Sequence, residues 1–82
     1  MKQYYITFRS VTYGQRGERV LKQAGMDCLL RRTPRWMESK GCGYAVQVEN
    51  PIRAAEILKD AGAAFEKIYE VRGEDRRELI LP

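Results

Sequence analysis

The alternation of apolar and polar positions at the start of the chain predicts a β-strand. Residues 4–8 (Tyr-Tyr-Ile-Thr-Phe) are aromatic and β-branched with a period of two, which is typical of strands. A helical spacing follows, with Val20, Leu21 and Ala24 on one face, and we expect this helix to end at Gly25. Its N-cap is predicted at Ser10 or Thr12.

The second half of the chain repeats this order of elements. Two strands are predicted at residues 26–32 and 44–48, and Asn50-Pro51 then gives a strong helix start, an N-cap residue followed by proline. Gly62 ends this second helix, and residues 65–71 form a fourth strand. The predicted buried stripe of the second helix consists of Ile52, Ala55, Leu58 and Ala61.

This order of elements predicts an α+β, ferredoxin-like split β-α-β sandwich, with a four-stranded antiparallel sheet covered on one face by two helices. In that topology the first and third strands are antiparallel neighbours. The end of strand one, the start of helix one and the start of strand three would therefore meet at one edge of the sheet. Cys42 and Gly43 stand at the start of strand three, near a helix N-terminus that favours anions.

The length of 82 residues indicates one domain, which we place at residues 1–73, followed by a charged tail at 74–82. Residues 73–77 resemble a solvated tail, and residues 79–81 offer a further edge strand or a segment packed on the body. A chain this short has little room for a deep active site, so a carrier, a binding module or a small subunit is expected in place of a turnover enzyme. With two cysteines and no histidine, we expect no metal site, no disulfide framework and no cofactor.

No apolar run is long enough to cross a bilayer and no signal peptide is evident, so a cytoplasmic location is expected. The net charge of +4 is uneven, because residues 1–48 carry +6 and residues 49–82 carry −2. The basic half suits an anionic partner or a stabilised thiolate, although a solvated basic face is the commoner explanation of such asymmetry.

Cys42 is the main candidate for chemistry because it lies between two glycines in a basic segment. Gly41 and Gly43 leave the thiol sterically accessible, and Arg35 and Lys40 are cations of the kind that favours a thiolate. The other interpretation is that the glycines form a hairpin turn and Cys42 fills a small apolar gap. The residues alone leave both interpretations open.

Several of these segments together resemble a known family. They are Phe8-Arg9-Ser10, the helix end at residues 21–25, Pro34-Arg35 and Cys42-Gly43. Over residues 4–71 they are similar to the small bacterial family of selenium/sulfur (Se/S) carrier protein-like domains. The resemblance implies that Cys42 carries sulfur or selenium as a persulfide or selenosulfide and passes it to a partner protein. It also implies a supporting role for Arg35, the arginine of the Pro34-Arg35 pair. The predicted fold and the basic segment between glycines add Ser10, Lys40, Gly41 and Gly43 as supporting residues around the thiol.

The sequence departs from the family pattern in the bulk of Trp36 and Met37 and in two glycines, Gly14 and Gly17, within the first helix. Each of these glycines weakens the helix by up to about 1 kcal/mol relative to alanine. Trp36 and Met37 have three interpretations: a cover for the thiol, a partner-docking patch, or a loop that folds back on its own core.

A second motif points to a different class of function. Residues 40–47 align in part with the RNP1 signature of RNA-recognition domains. However, Cys42 stands where the first stacking aromatic residue belongs, and Gln47 replaces the last aromatic residue of the signature. We therefore disfavour nucleic acid as the partner. The alternative function is a small non-enzymatic binding or regulatory module that contacts nucleic acid or a protein through the basic half of the chain.

Two further expectations concern the sheet. Cys28 is predicted to be a buried filler beyond disulfide reach of Cys42. The open sheet face is expected to be solvated or to support a homodimer, and its predicted residues are Tyr5, Thr7, Ala45, Gln47 and Ile68.

Overall fold

A computed structural model describes residues 2–37 and 43–80. Over these residues it is an α+β structure in which two helices pack on one antiparallel sheet. The elements in chain order are β1 Lys2–Thr7, α1 Val11–Gln23, β2 Cys28–Arg32, a 3₁₀ turn Arg35–Met37, β3 Tyr44–Val48, α2 Pro51–Asp60, β4 Ile68–Arg72 and β5 Asp75–Glu78.

The strand order β2-β3-β1-β4-β5 puts β1 in the middle of the sheet. β1 pairs antiparallel with β3, with Tyr4 opposite Val48 and Thr7 opposite Ala45. The prediction that strands one and three are antiparallel neighbours is therefore confirmed. As a result, the end of β1, the start of α1 and the start of β3 lie at the same edge of the sheet.

The predicted four-stranded sheet is wrong by one strand. β5 pairs with β4 at Asp75–Glu78, inside the segment that the sequence suggested was a solvated tail and before residues 79–81, the predicted position of an edge strand. Gly73, with φ +60°, opens the two-residue hairpin loop between Arg72 and Asp75. Because every β5 residue is charged and exposed, its sequence lacks the apolar alternation by which strands are recognised.

Both helices begin at the predicted caps. The Ser10 hydroxyl accepts a hydrogen bond from the Tyr13 N–H at 3.3 Å, and the Asn50 side chain accepts one from the Arg53 N–H at 3.1 Å. Gly25 and Gly62 follow the two helix ends with φ of +85° and +66°. The predicted strand bounds were too long at the N-terminal ends of β2 and β4, while β3 has the predicted bounds.

The core lies between the sheet and the helices. Its fully buried side chains include Ile6 of β1, Phe8 just after β1, Leu21 of α1, Val46 of β3 and Leu58 of α2. The predicted stripe of α2 is correct at Ala55 and Leu58 and wrong at its ends, since Ile52 is 60% exposed and Ala61 is also exposed. The buried set is instead Pro51, Ala54, Ala55 and Leu58.

Gly14 and Gly17 have a packing role that the sequence did not indicate. Both are buried, and Gly17 lies directly against the ring of Phe8. A Cβ placed on Gly17 would come within 2.6 Å of Phe8 Cζ, closer than real Cβ contacts allow. These glycines therefore let α1 approach the end of β1 closely.

Candidate functional site

The candidate site is the sheet edge where β1 ends and β3 begins. Gly43 lies just before β3, and its carbonyl accepts a hydrogen bond from the Thr33 N–H at 2.9 Å, which closes the base of the β2–β3 connection. Gly43 has φ +88°, and a Cβ there would find no atom within 4 Å. An added Cβ at position 43 would meet no neighbouring atom, so glycine is favoured there because of the positive φ and not because of crowding.

Cys42, Gly41 and Lys40 lie outside the described residues, so the predicted thiol site at Cys42 stays a prediction. Of its predicted supporting residues, Ser10 caps α1 at this edge and Gly43 begins the run into β3. Pro34 lies just before the 3₁₀ turn, and its carbonyl accepts a hydrogen bond from the Met37 N–H at 2.8 Å. Arg35 is exposed at the start of that turn.

The 3₁₀ turn folds back onto the sheet face opposite the helices. Met37 is fully buried in a cluster with Tyr5, Ala45 and Tyr69, and we call this group the sheet-face cluster. Trp36 meets the Tyr69 ring edge to face, with centroids 5.8 Å apart and the ring planes at 83°. Of the three interpretations of Trp36 and Met37, packing of the loop on its own sheet is the one observed.

The guanidinium of Arg76 completes this arrangement. Its Cζ lies 5.3 Å from the centroid of the Trp36 ring, a cation–π contact between β5 and the loop. The strand that the sequence did not predict thus contributes to holding the segment that contains Arg35. No local pattern predicts this contact, because positions 36 and 76 are far apart in the sequence.

The composition predicted for the open sheet face needs one correction. Ile68 belongs to the core under the helices, and Tyr69 takes its place on the other face, because Tyr5 pairs with Tyr69 and Ile6 with Ile68. Tyr5 and Tyr69 are only 8% and 5% exposed beneath the 3₁₀ turn. The rings on this face are therefore not available as stacking platforms for bases, which argues against RNP1-like recognition of RNA.

Cys28 is a free cysteine at the opposite end of β3 from Gly43, since it pairs with Val48. It is partly buried, where the sequence predicted a buried filler, and its thiol donates a hydrogen bond to the Glu18 carbonyl at 3.6 Å. Burial raises the pKa of the Cys28 thiol, and the Glu18 carboxylate raises it further against a smaller opposing effect of Lys22. Cys28 therefore lacks the features of an activated nucleophile.

In the part of the chain that the structure describes, no helix is long and apolar enough to cross a membrane. No solved structure matches this chain. A relative from Aquifex aeolicus (strain VF5), named "Putative sulfur carrier protein", is 36% identical over 76 residues, which cover 88% of this chain and 38% of the relative. The chain thus spans well under half the length of that relative.

The model of one protein family matches residues 3–70, a span that includes Pro34-Arg35, Cys42-Gly43 and every described residue of the sheet edge. The chain belongs to the family described as "Putative Se/S carrier protein-like".

Proposed function

We propose that this protein carries sulfur or selenium on Cys42, as a persulfide or selenosulfide, and delivers it to a partner protein. The observation that carries the proposal is the family match over residues 3–70, which includes Cys42-Gly43. The name of the Aquifex aeolicus relative agrees with it. Within the proposal the protein is a cytoplasmic carrier and not a turnover catalyst, and its fold is a ferredoxin-like sandwich with one added strand.

The charged groups near Gly43 favour the thiolate form of the neighbouring residue in the sequence, Cys42. Ser10 begins α1 at this edge, and the N-terminus of a helix favours a negative charge. Arg35 adds an exposed cation at the other end of the same connection between β2 and β3. Positive surroundings of this kind stabilise a thiolate, the form of cysteine that attacks sulfur.

The proposed loading step is a thiolate exchange. The Cys42 thiolate attacks the terminal sulfane sulfur of a donor persulfide, a new S–S bond forms on Cys42, and the donor's S–S bond breaks. The donor leaves as a thiolate with the electron pair of the broken bond, so no external oxidant is needed. A donor selenosulfide (R–S–SeH) loads selenium in the same way. The Cys42 thiolate attacks the terminal selenium, a new S–Se bond forms on Cys42, the donor's S–Se bond breaks, and the donor leaves as a thiolate.

The test is intact mass spectrometry after brief exposure of the protein to sodium polysulfide. We expect one added sulfur atom on wild type and on Cys28→Ser, and none on Cys42→Ser. Cys28→Ser is the matched control, because it removes a thiol that is partly buried, has a raised pKa and should not accept sulfur. An adduct that persists in Cys42→Ser, or no adduct in any of the proteins, would contradict the proposal.

A second measurement tests the role of Arg35. We expect Arg35→Ala to raise the apparent pKa for alkylation of Cys42 by iodoacetamide and to slow the reaction at neutral pH. Arg19→Ala removes the same charge from an exposed position in the middle of α1 and should leave the pH–rate profile unchanged. Identical profiles for the two variants would remove Arg35 from the proposed site.

A further inference from the structure

Four arginines gather at the edge of the sheet where β1 and β2 end, and we call them the arginine edge. Arg9 follows β1, Arg31 and Arg32 end β2, and Arg35 begins the 3₁₀ turn. All four are exposed. Among residues 2–37 and 43–80 none of the four forms an ion pair with a carboxylate.

Among the described residues of the sheet and its adjoining loops, the carboxylates at this end of the molecule lie to the side of the arginine edge, and Asp60 ends α2 in the helix layer. Glu66 precedes β4, and Glu78 ends β5, where it is paired with Lys67 at 3.7 Å. Since β4 and β5 are on the far side of β1 from β3 and β2, the positive charge is concentrated on the β2–β3–β1 side. This side also contains Gly43.

Two of the four guanidinium groups lie within cation–π distance of aromatic rings. Arg9 Cζ lies 5.7 Å from the centroid of the Tyr13 ring, and Arg32 Cζ lies 5.7 Å from that of Tyr44, its cross-strand partner. A guanidinium attracted to a ring in this way moves over a smaller volume and keeps its N–H donors free for a carboxylate, which a guanidinium can bind with two hydrogen bonds. Such ordering in the free protein lowers the entropy that binding must remove.

The sheet-face cluster bears on which anionic partner the arginine edge would bind, a single-stranded nucleic acid or a protein that presents carboxylates. Proteins that bind single-stranded nucleic acid combine a basic groove with exposed rings on which bases stack. Here Tyr5 and Tyr69 are covered by Met37 and Trp36, so these two rings of the sheet face offer no stacking platform. The Tyr13 and Tyr44 rings beside the arginine edge are already in contact with Arg9 and Arg32. Membership of a sulfur carrier family implies protein partners, and carboxylates are the anions that proteins present.

We propose that the arginine edge is the docking surface for an acidic patch on the partner protein, with Arg9 and Arg32 as its ordered carboxylate anchors. This docking proposal rests on the proposed function in sulfur or selenium transfer, because a partner bound here would lie at the side of the sheet that contains Gly43. The electrostatic attraction would mainly accelerate encounter and orient the partner.

The experiment measures fluorescence anisotropy of two labelled probes across a salt series, oligoglutamate and single-stranded RNA of equal length. It uses Cys42→Ser protein, so that binding does not depend on the thiol and the result is independent of the persulfide test. The test variant is Arg9→Glu/Arg32→Glu. The matched control is Arg19→Glu/Arg53→Glu, which reverses the same number of exposed charges on the two helices.

We expect oligoglutamate to bind the parent protein, with an affinity that falls as salt screens the charges. The Arg9/Arg32 reversal should weaken binding roughly tenfold, as expected for the loss of two exposed charge pairs and the repulsion that replaces them. The control reversal should retain most of the affinity. Equal losses in the two variants, tighter binding of RNA than of oligoglutamate, or no oligoglutamate binding at low salt would each overturn the proposal. Thermal unfolding of both variants verifies that they are folded.

Discussion

The contact between Gly17 and Phe8 makes the sharpest prediction for the scaffold, because two known effects oppose each other there. Replacing a glycine inside a helix by alanine ordinarily stabilises the helix by about 0.5–1 kcal/mol. At Gly17 the added Cβ would lie 2.6 Å from Phe8 Cζ and 2.8 Å from Phe8 Cε2, and Phe8 is fully buried. Overpacking of this kind costs about 1–3 kcal/mol.

Overpacking should therefore outweigh the gain in helix propensity. We expect Gly17→Ala to lower the free energy of unfolding by about 1 kcal/mol, which for a domain of this size lowers Tm by about 4–8 °C. Gly14→Ala is the matched control, since the only tight contact of its Cβ would be with the terminal Cδ1 of Leu30, at 3.2 Å, while Phe8 Cδ1 at 3.6 Å is an ordinary van der Waals contact. That methyl group can shift, so Gly14→Ala should stay within about 0.5 kcal/mol of wild type.

A double-mutant cycle with Phe8→Leu isolates the clash. Leucine lacks the ring atoms that the new Cβ would meet, so in the Phe8→Leu background Gly17→Ala should no longer destabilise and should gain its helix propensity of about 0.5–1 kcal/mol. Urea unfolding followed by circular dichroism gives all four free energies. If Gly17→Ala stabilises wild type as much as it stabilises the Phe8→Leu variant, the close approach of α1 to β1 is not a constraint and the reasoning fails.

Three further predictions concern the site and the added strand. Met37→Ala should destabilise by about 2–5 kcal/mol in urea unfolding, as for a fully buried methionine, whereas a cost below about 0.5 kcal/mol would mean that the 3₁₀ turn does not anchor on the sheet. Gly43→Ala should destabilise by about 1 kcal/mol because φ is +88° although the space is empty, and Gly43→Asn, which tolerates this conformation better, should cost less; the reverse order would contradict the argument. Burial raises the pKa of Glu70, but Arg77, hydrogen-bonded at 2.9 Å, and Lys2 together hold it below its ordinary value. A lowered folded-state pKa contributes stability above the unfolded pKa of about 4.3, and this stability is lost as pH falls through the folded-state pKa. The free energy of unfolding of Glu70→Gln should therefore differ most from that of wild type at neutral pH and converge with it in acid. A difference that stays constant with pH would refute the assignment.

Much of the fold could be predicted because its signals are local. Ser10 and Asn50-Pro51 mark helix starts by hydrogen bonds within one turn, and both caps form as expected. The alternation of residues 44–48 places Val46 and Val48 in the core and Ala45 on the other face. Once these elements were placed, topology alone predicted that β1 and β3 are neighbours.

The features that could not be predicted depend on contacts between distant parts of the chain. Gly17 counts as a weakness within α1 alone and becomes a packing position only beside Phe8. β5 is a strand only because Gly73 turns it back onto β4, as nothing in its own charged sequence favours a strand. Trp36 and Arg76 meet across the sheet, a contact that the pattern around either residue does not reveal.

In the described part of the site, the residues that stabilise the backbone differ from the exposed residues that the proposals assign to docking and thiol reactivity. Thr7, at the end of β1, is buried, and its N–H and carbonyl bond to Lys67 and Glu66 at 2.8 Å each, which anchors the edge from the β4 side. Thr33 anchors it from the β2 side through Gly43. Arg9, Arg32 and Arg35 extend from this anchored backbone into solvent. Substitutions of the arginines should therefore alter docking and thiol reactivity with little effect on unfolding, because a rigid scaffold that positions exposed residues is how binding sites on loops are usually built.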